Sequence, residues 1–296
     1  IKNLNWFYFF TVSFLSFVGV IMIYSATSAM ENNIFINHLT KVFLGLAVMT
    51  LVSLIEIDFW KKNAFYLYIF FLFLLIWASF YGHIGKGSRR WIEFLGFYIQ
   101  PSEFMKIAII MALAKFFDEK QIKDPRDYFF LVLPIFLILL PVGLILKQPD
   151  LGTAVIILLF CFFIFYVAGL SWKFFGLIIS TMLMITPYIW SLLKNYQKQR
   201  ILTLFNPEND PLGSGYHIIQ SQIAIGSGGF FGKGWREGTQ SHLDFLPEKH
   251  TDFIFSMLGE EFGFLGTFSV IGLIITITLV TYHISNKFDR DNFKRI

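Results

Sequence analysis

Long apolar segments alternate with short polar ones along most of the chain. A bilayer core about 30 Å thick needs roughly 20 apolar residues per helix, and about eight segments approach that length. They lie at 6–26, 39–55, 64–81, 102–117, 128–146, 152–170, 172–193 and 253–284. Internal glycines and prolines are compatible with such helices, because neighbouring helices satisfy the freed backbone groups. The pattern predicts an all-α polytopic membrane protein of about eight transmembrane helices, with a large loop between the seventh and the eighth.

The amino-acid composition agrees with this class. Of the 296 residues, 55% are hydrophobic and 15% are charged, against about 25% charged in soluble domains. The single cysteine, Cys161, lies in an apolar segment, which excludes a disulfide framework and a cysteine-based metal site. The first apolar segment has no small-residue cleavage site, so we expect a retained helix rather than a signal peptide. We expect 1–296 to form a single transmembrane domain.

Lysine and arginine are distributed unequally between the two sides of the predicted membrane. One side holds Lys2, Lys61, Lys62, Lys115, Lys120, Lys123, Arg126, Lys173, Lys287, Arg290, Lys294 and Arg295. The short loops of the other side hold only Lys41, Lys86, Arg89, Arg90 and Lys147. Because cytoplasmic loops carry an excess of these residues, we expect both ends of the sequence to be cytoplasmic. The segment 194–252 is then a large extracytoplasmic loop.

Charged residues at a membrane boundary are costly and are candidates for function, and four clusters of them follow one another on the predicted outer side. The first cluster places Lys86, Arg89 and Arg90 between glycines and Trp91. Two arginines suit an anionic headgroup, because each can bind phosphate oxygens in bidentate fashion. The alternative is interfacial anchoring, with Trp91 in the aromatic belt.

The second cluster opens the fourth apolar segment. Ser102 is interpreted as the N-cap of the helix. Glu103 and Lys106 are three residues apart and therefore share one helix face. Either charge alone would be costly in lipid, so we expect the two to pair or to line a cavity. A purely structural pair is the alternative.

The third cluster is a tight turn between the fifth and sixth segments. Pro149 and Gly152 account for its shape, but they do not explain the charged residues Lys147 and Asp150 at its two ends.

The fourth cluster is the long loop and its junction with the last segment. It contains Gln240, Glu248, His250 and Asp252, and a glycine run at 226–238. A loop of this length is usually functional or disordered, and its interleaved apolar residues argue against disorder.

Two apparent motifs in this loop are dismissed. The glycines fit neither a dinucleotide-binding fingerprint nor a P-loop. The histidines His217, His242 and His250 lack the spacing of a zinc motif. No cofactor is therefore assigned, although a divalent cation is left open.

Taken together, the four clusters resemble the SEDS family (shape, elongation, division and sporulation), and its RodA branch in particular. The matching stretches are Gly87-Ser88-Arg89-Arg90-Trp91-Ile92, Gln100-Pro101-Ser102-Glu103 with Lys106, Gln148-Pro149-Asp150-Leu151-Gly152-Thr153, and Gly238-Thr239-Gln240-Ser241 through Phe245-Leu246-Pro247-Glu248-Lys249-His250-Thr251-Asp252-Phe253. The forms Gly-Thr-Gln-Ser and Gln-Pro-Asp-Leu-Gly-Thr look more like RodA than like the division paralogue FtsW.

The resemblance implies a peptidoglycan glycosyltransferase of the bacterial cytoplasmic membrane. Such an enzyme polymerises lipid II, the undecaprenyl-pyrophosphate disaccharide-peptide, during cell elongation and shape maintenance. It also implies a class B penicillin-binding protein and other membrane proteins of the elongation complex as partners, and no nucleic acid.

The resemblance further assigns roles to residues. It implies that Asp252 is the catalytic base; from spacing alone, Asp252 could equally be the N-cap of the last helix. Arg89, Arg90 and Lys86 would hold the departing lipid pyrophosphate. Attack from the opposite face of the sugar would invert the anomeric centre. The substrate-binding set comprises Lys86, Arg89, Arg90, Trp91, Glu103, Lys106, Gln148, Asp150, Gln240, Glu248 and His250.

One departure affects these expectations. The family fold has ten transmembrane helices, and about eight are predicted here, so we expect an incomplete chain or a naturally shortened one. Two other functions stay open. A lipid II flippase would use the same cations and groove without a base, and a scaffold would only activate a partner enzyme.

Overall fold

The computed structural model describes residues 5–27, 33–85, 88–94, 96–120, 128–210, 213–243, 245 and 249–286. Helices dominate this part of the chain. They are α1 Trp6–Ala26, α2 Asn33–Leu54, α3 Ile57–Tyr81, α4 Pro101–Glu119, α5 Val132–Lys147, α6 Leu151–Val167, α7 Trp172–Leu192, α8 Asn195–Phe205, α9 Ser214–Ser227, α10 Thr239–His242 and α11 Ile254–Asn286. Short 3-10 turns at Tyr128–Leu131 and Pro207–Asn209 precede α5 and α9.

Each of the eight predicted apolar segments coincides with one of these helices. Among the described residues, six helical stretches are long and apolar enough to cross a membrane: α1, α2, α3, α7, α11 and α5 with its preceding turn. The helix α6 is apolar but shorter, and α4 carries charges at both ends. The all-α polytopic membrane class is confirmed, and many large apolar side chains of these helices are exposed, as expected where lipid is the solvent.

The chain divides into two compact units. The first comprises Ile1–Leu54 and Thr181–Tyr282, and the second comprises Ile55–Ser180 and His283–Ile296.

The second unit is a bundle of α3, α4, α5 and α6 around a buried apolar core. Its largest fully buried side chains include Leu75, Met105, Leu113 and Ile145. The segment between α3 and α4 forms a small antiparallel sheet that the sequence pattern did not predict. Its strands, in the order β1-β2-β3, are β1 His83–Gly85, β2 Ser88–Phe94 and β3 Phe97–Ile99. Strand β2 packs against both α3 and α4 and thereby brings the first cluster onto the bundle.

The first unit is organised by a break in its longest helix. Helix α11 is interrupted at Gly263, whose φ of 66° and ψ of −158° are non-helical. The break frees the carbonyl groups of Glu260 and Glu261, which accept hydrogen bonds from the Lys233 and Gly234 amides at 2.9 and 3.1 Å. A helix end buried without such partners would be unfavourable.

The same loop satisfies the other side of the break. The amides of Phe264 and Leu265 donate to the carbonyl oxygens of Gly229 and Phe230 at 2.9 and 3.1 Å. The glycine run at 226–238 is therefore neither a nucleotide motif nor a spacer. It lets one backbone approach another closely enough to replace the lost helical hydrogen bonds.

Gly232→Ala should destabilise the protein much more than Gly229→Ala. Both glycines have positive φ, 84° and 57°, which costs roughly 1–2 kcal/mol for a residue with a Cβ atom. A methyl group at Gly232 would also overlap the Glu261 carbonyl group, whereas one at Gly229 would meet nothing within 4 Å. We expect a total loss of about 3 kcal/mol or more for Gly232→Ala, measured by unfolding in detergent. Equal losses in the two variants would contradict this account of the glycine run.

Candidate functional site

Strand β2 separates the two arginines of the first cluster. Neighbouring residues of a strand point to opposite faces, and the partners of Arg89 and Arg90 differ accordingly. The Arg90 guanidinium donates to the Asp150 carboxylate at 3.1 Å, and this pair is largely buried. The Arg89 guanidinium is exposed and donates to the Phe80 carbonyl oxygen at 3.3 Å, at the end of α3. Arg90 is therefore bound within the fold, whereas Arg89 faces outward.

Asp150 connects three elements of the second unit. Its side chain caps α6 by accepting from the Thr153 amide at 3.1 Å, and it also accepts from the Gln100 side chain at 3.2 Å, next to the start of α4. With Arg90 from β2, the carboxylate joins the sheet, α4 and α6. The charge of Asp150 in the tight turn thus has a structural role, because it holds these three elements together.

The neighbouring Gln148 is buried, with an exposed fraction of 5%. Its amide nitrogen donates to the Leu75 carbonyl oxygen at 3.1 Å and to the Ser79 hydroxyl at 2.7 Å. Beside it opens a cleft of about 440 Å³ with two cations on its lining. The cleft is lined by Ile76, Ser79, Phe80, Arg89, Leu144, Lys147, Gln148 and Pro149.

The second cluster differs from the prediction in one detail. Ser102 is not the N-cap of α4; Gln100 holds that position, with Pro101 as the first helical residue. Proline suits the first helical position, where its missing N–H would have no helical partner. Ser102 is buried and accepts from the Gln100 side chain at 2.9 Å.

The predicted pairing within this cluster is confirmed. The Lys106 ammonium lies 2.8 Å from the Glu103 carboxylate. The lysine is largely buried, whereas the carboxylate is more than half exposed.

In the first unit, Asp252 is exposed immediately before α11. It is not the N-cap of that helix: α11 begins at Ile254, and the amides of Ser256 and Met257 donate to the Phe253 carbonyl oxygen. The alternative interpretation of Asp252 as a helix cap is therefore wrong.

The segment that leads to Asp252 is attached to the rest of the unit by Lys249. This side chain is 1% exposed, and its ammonium donates to the Ser241 carbonyl oxygen at 2.8 Å. Ser241 lies in α10, the short helix that contains Gln240. The two halves of the fourth sequence cluster are therefore in direct contact.

Helix α10 is in turn held by Glu260 of α11, which is fully buried. Its carboxylate accepts from the amides of Gln240 and Ser241 at 2.8 and 3.1 Å, and from the Ser241 hydroxyl at 3.0 Å. The Lys233 ammonium completes the arrangement at 2.9 Å. The sequence analysis assigned no role to Glu260, Lys249 or Lys233, although an acidic residue inside an apolar segment is itself a signal.

The other predicted site residues are distributed over the two units. Trp91 is half-buried and packs its indole ring over Gly85. His250 is half-buried in the first unit. Lys86 and Glu248 lie outside the described residues. No group of three or more His, Cys, Asp or Glu side chains in the described part of the chain could hold a metal ion, so a divalent cation is given no site.

Comparison with known proteins agrees with this architecture. The family model for FtsW, RodA and SpoVE, described as "Cell cycle protein", matches residues 5–296, and the chain belongs to this family. It is 41% identical over 240 residues to the peptidoglycan glycosyltransferase MrdB of Escherichia coli strain K12, which covers 81% of this chain and 64% of that protein. The chain thus spans less than two thirds of this relative's length.

Two solved structures are similar over essentially the whole chain. One, described as "Structural coordination of polymerization and crosslinking by a peptidoglycan synthase complex", has a TM-score of 0.81 and 30% identity, and the match covers 100% of this chain and 82% of that one. The other is the rod shape determining protein RodA of Thermus thermophilus, with a TM-score of 0.69, 25% identity, and coverage of 99% and 80%. The resemblance to the SEDS family and its RodA branch is confirmed, and the protein is a multi-pass membrane protein.

Arg90→Ala should destabilise the fold, whereas Arg89→Ala should not. Removing Arg90 leaves the largely buried Asp150 carboxylate without its charged partner, at a cost of about 1.5–3 kcal/mol. Removing the exposed Arg89 should change the stability by less than about 0.5 kcal/mol. The two variants are compared by their unfolding midpoints in detergent, measured by circular dichroism. An equal loss of stability in both variants would show that Arg89 and Arg90 do not differ in their contribution to the fold.

A double-mutant cycle should distinguish a structural from a functional role of Glu103 and Lys106. Because the two charges are in contact, the effects of Glu103→Ala and Lys106→Ala on activity should not add in the double variant, and their coupling free energy should exceed about 0.5 kcal/mol. Coupling in stability would instead make the pair structural. The cycle is measured by unfolding in detergent and by activity. Coupling in activity without coupling in stability places both groups in the catalytic cavity, which is the outcome we expect. Small, additive effects in both measurements would remove the pair from the site.

Proposed function

We propose that this protein is a peptidoglycan glycosyltransferase that polymerises lipid II on the outer face of the bacterial cytoplasmic membrane during cell elongation. The main support is the position of Asp252, an exposed carboxylate just before α11 on a segment attached through the buried Lys249. A relative that is 41% identical is named a peptidoglycan glycosyltransferase.

In the proposed reaction, Asp252 takes the proton from the attacking hydroxyl of one sugar as that oxygen bonds to the anomeric carbon of another. The bond between this carbon and the lipid pyrophosphate breaks, and the electron pair leaves with the pyrophosphate. Attack from the opposite face inverts the anomeric centre. A positioned base typically contributes 10²–10⁴-fold to such a step.

The leaving group needs cations, and we propose Arg89, Lys147 and Lys86 for this role. Arg89 and Lys147 line the same cleft, and positive charge at a departing pyrophosphate stabilises the transition state. We propose that Arg90, Asp150 and Gln148 shape this region and do not mainly touch substrate, because Arg90 pairs with Asp150 and Gln148 bonds to the end of α3. Glu103, Lys106, Trp91, Gln240, Glu248 and His250 complete the proposed substrate-binding set.

The proposal extends to partners and orientation. The solved structure with 30% identity is described as a peptidoglycan synthase complex that coordinates polymerisation and crosslinking. A class B penicillin-binding protein is the corresponding partner proposed here, together with other membrane proteins of the elongation complex. The unequal distribution of lysine and arginine supports cytoplasmic chain ends.

Asp252→Asn should leave the protein folded and abolish glycan synthesis. The substitution keeps the size of the side chain and removes only its basicity, so polymerisation of labelled lipid II should fall by about 10²-fold or more. The products are separated on gels, with the partner protein present.

Glu237→Gln is the matched control, because it neutralises another exposed carboxylate of the first unit. It should retain polymerisation. Normal glycan chains from Asp252→Asn would refute the assignment of the base. Transport of lipid II between leaflets by both the wild type and Asp252→Asn, with no polymer from either, would identify a flippase instead.

A further inference from the structure

Helix α10 has an unusual N-terminal cap. The residue at the cap position is Gly238, which has no side chain, and its place is taken by the Glu260 carboxylate from α11. A methyl group at Gly238 would lie 2.7 Å from a Glu260 carboxylate oxygen and 2.5 Å from the Ser241 hydroxyl. The glycine of the Gly-Thr-Gln-Ser motif is thus required to admit the carboxylate of a distant residue.

A continuous chain of contacts leads from Glu260 toward Asp252. The carboxylate binds both the amide and the hydroxyl of Ser241. The carbonyl oxygen of Ser241 accepts from the buried Lys249 ammonium. Lys249 lies three residues before Asp252 in the sequence. Three charged or polar groups therefore connect the interior of α11 with the segment of the proposed base.

We propose that Glu260 is a positioning residue for Asp252, acting through α10 and Lys249, an inference that rests on the proposed function. A carboxylate that only had to be neutralised could be paired by Lys233 alone, at 2.9 Å. Glu260 instead accepts four further hydrogen bonds from α10. Their donors are the amides of Gln240 and Ser241, the Ser241 hydroxyl, and the Thr239 hydroxyl at 3.3 Å. Charge-assisted hydrogen bonds are short and directional, which suits a group that has to fix the position of a loop in one place.

The neighbouring Glu261 provides a matched control. It is a second buried carboxylate, 1% exposed, one residue further along the same helix. It accepts from the Ser25 hydroxyl of α1 at 2.6 Å. Loss of either carboxylate should lower stability, but only loss of Glu260 should affect the α10 contacts.

The test combines hydrogen–deuterium exchange with kinetics on the full chain in lipid nanodiscs. In Glu260→Gln, the amides of Gln240 and Ser241 should exchange about tenfold faster or more, since each loses a hydrogen bond to a charged acceptor. The peptide around 249–253 should also exchange faster. Lys249→Met should accelerate exchange at 249–253 and leave Gln240 and Ser241 protected, because their amides are bonded to Glu260 and not to Lys249.

The kinetic measurement separates positioning from general loss of structure. In Glu260→Gln, kcat for lipid II polymerisation should fall about tenfold or more, a larger change than the rise in KM, since the displaced segments carry the base as well as the substrate-binding Gln240 and His250. Glu261→Gln should keep kcat per folded molecule and the protection of Gln240 and Ser241. If Glu260→Gln does not fold, Gly238→Ala displaces the same contact without removing a charge, and the same results are expected.

The outcomes distinguish this inference from the proposed function. Unchanged protection of Gln240 and Ser241 in Glu260→Gln, or equal deprotection in Glu261→Gln, would overturn it. Lost protection with unchanged kcat would overturn it as well. If the wild type does not polymerise lipid II, the proposed function fails, and the exchange pattern still decides whether Glu260 holds the segment of Asp252.

Discussion

The break of α11 at Gly263 is the constraint on which the first unit depends. A helix interrupted within an apolar environment exposes amides and carbonyl groups that lipid cannot satisfy, and each costs several kcal/mol if left alone. Here the four groups next to the break are bonded to the backbone of the 229–234 loop. The loop must approach closely, which explains its glycines. Once it is in place, the loop brings Lys233 to Glu260, and Glu260 in turn holds α10.

Both units use a carboxylate in the same way. Asp150 in the second unit joins a helix start to a strand arginine and a glutamine. Glu260 in the first unit joins a helix start to a lysine and a hydroxyl. A charge removed from water is tolerated only when several donors surround it, so each such group fixes the geometry of everything that donates to it. This rigidity is what a proposed site on loops and short elements requires, since the position of a reacting group has to be accurate to less than about 1 Å.

The two neighbouring arginines show how tertiary contacts give different roles to residues that look alike in the sequence. In the sequence, Arg89 and Arg90 are equivalent candidates for an anion site. In the structure, neighbouring side chains of strand β2 point to opposite faces. Arg90 therefore pairs with Asp150, whereas Arg89 lines the cleft together with Lys147. The strand could not be predicted from its short and charged sequence. Without knowledge of the strand, the different partners of Arg89 and Arg90 could not be predicted either. The same holds for Gln148, which is in a conspicuous motif yet donates to two groups at the end of α3.

The membrane class, the position of every long helix and the family were all predictable from the amino-acid sequence, because apolar length and contiguous motifs are local properties. It also predicted the contact between Glu103 and Lys106, which depends only on helical periodicity. Helix caps were predicted less well. Ser102 was the predicted N-cap of α4, but Gln100 holds that position and Pro101 begins the helix, because several neighbouring residues can serve as one cap. The roles of the glycine run, Lys249 and Glu260 could not be predicted in this way and became visible in the folded protein. Their partners are distant in the sequence. The role of a buried charge, or of a glycine at a close backbone approach, depends on which of these distant groups the fold places in contact with it.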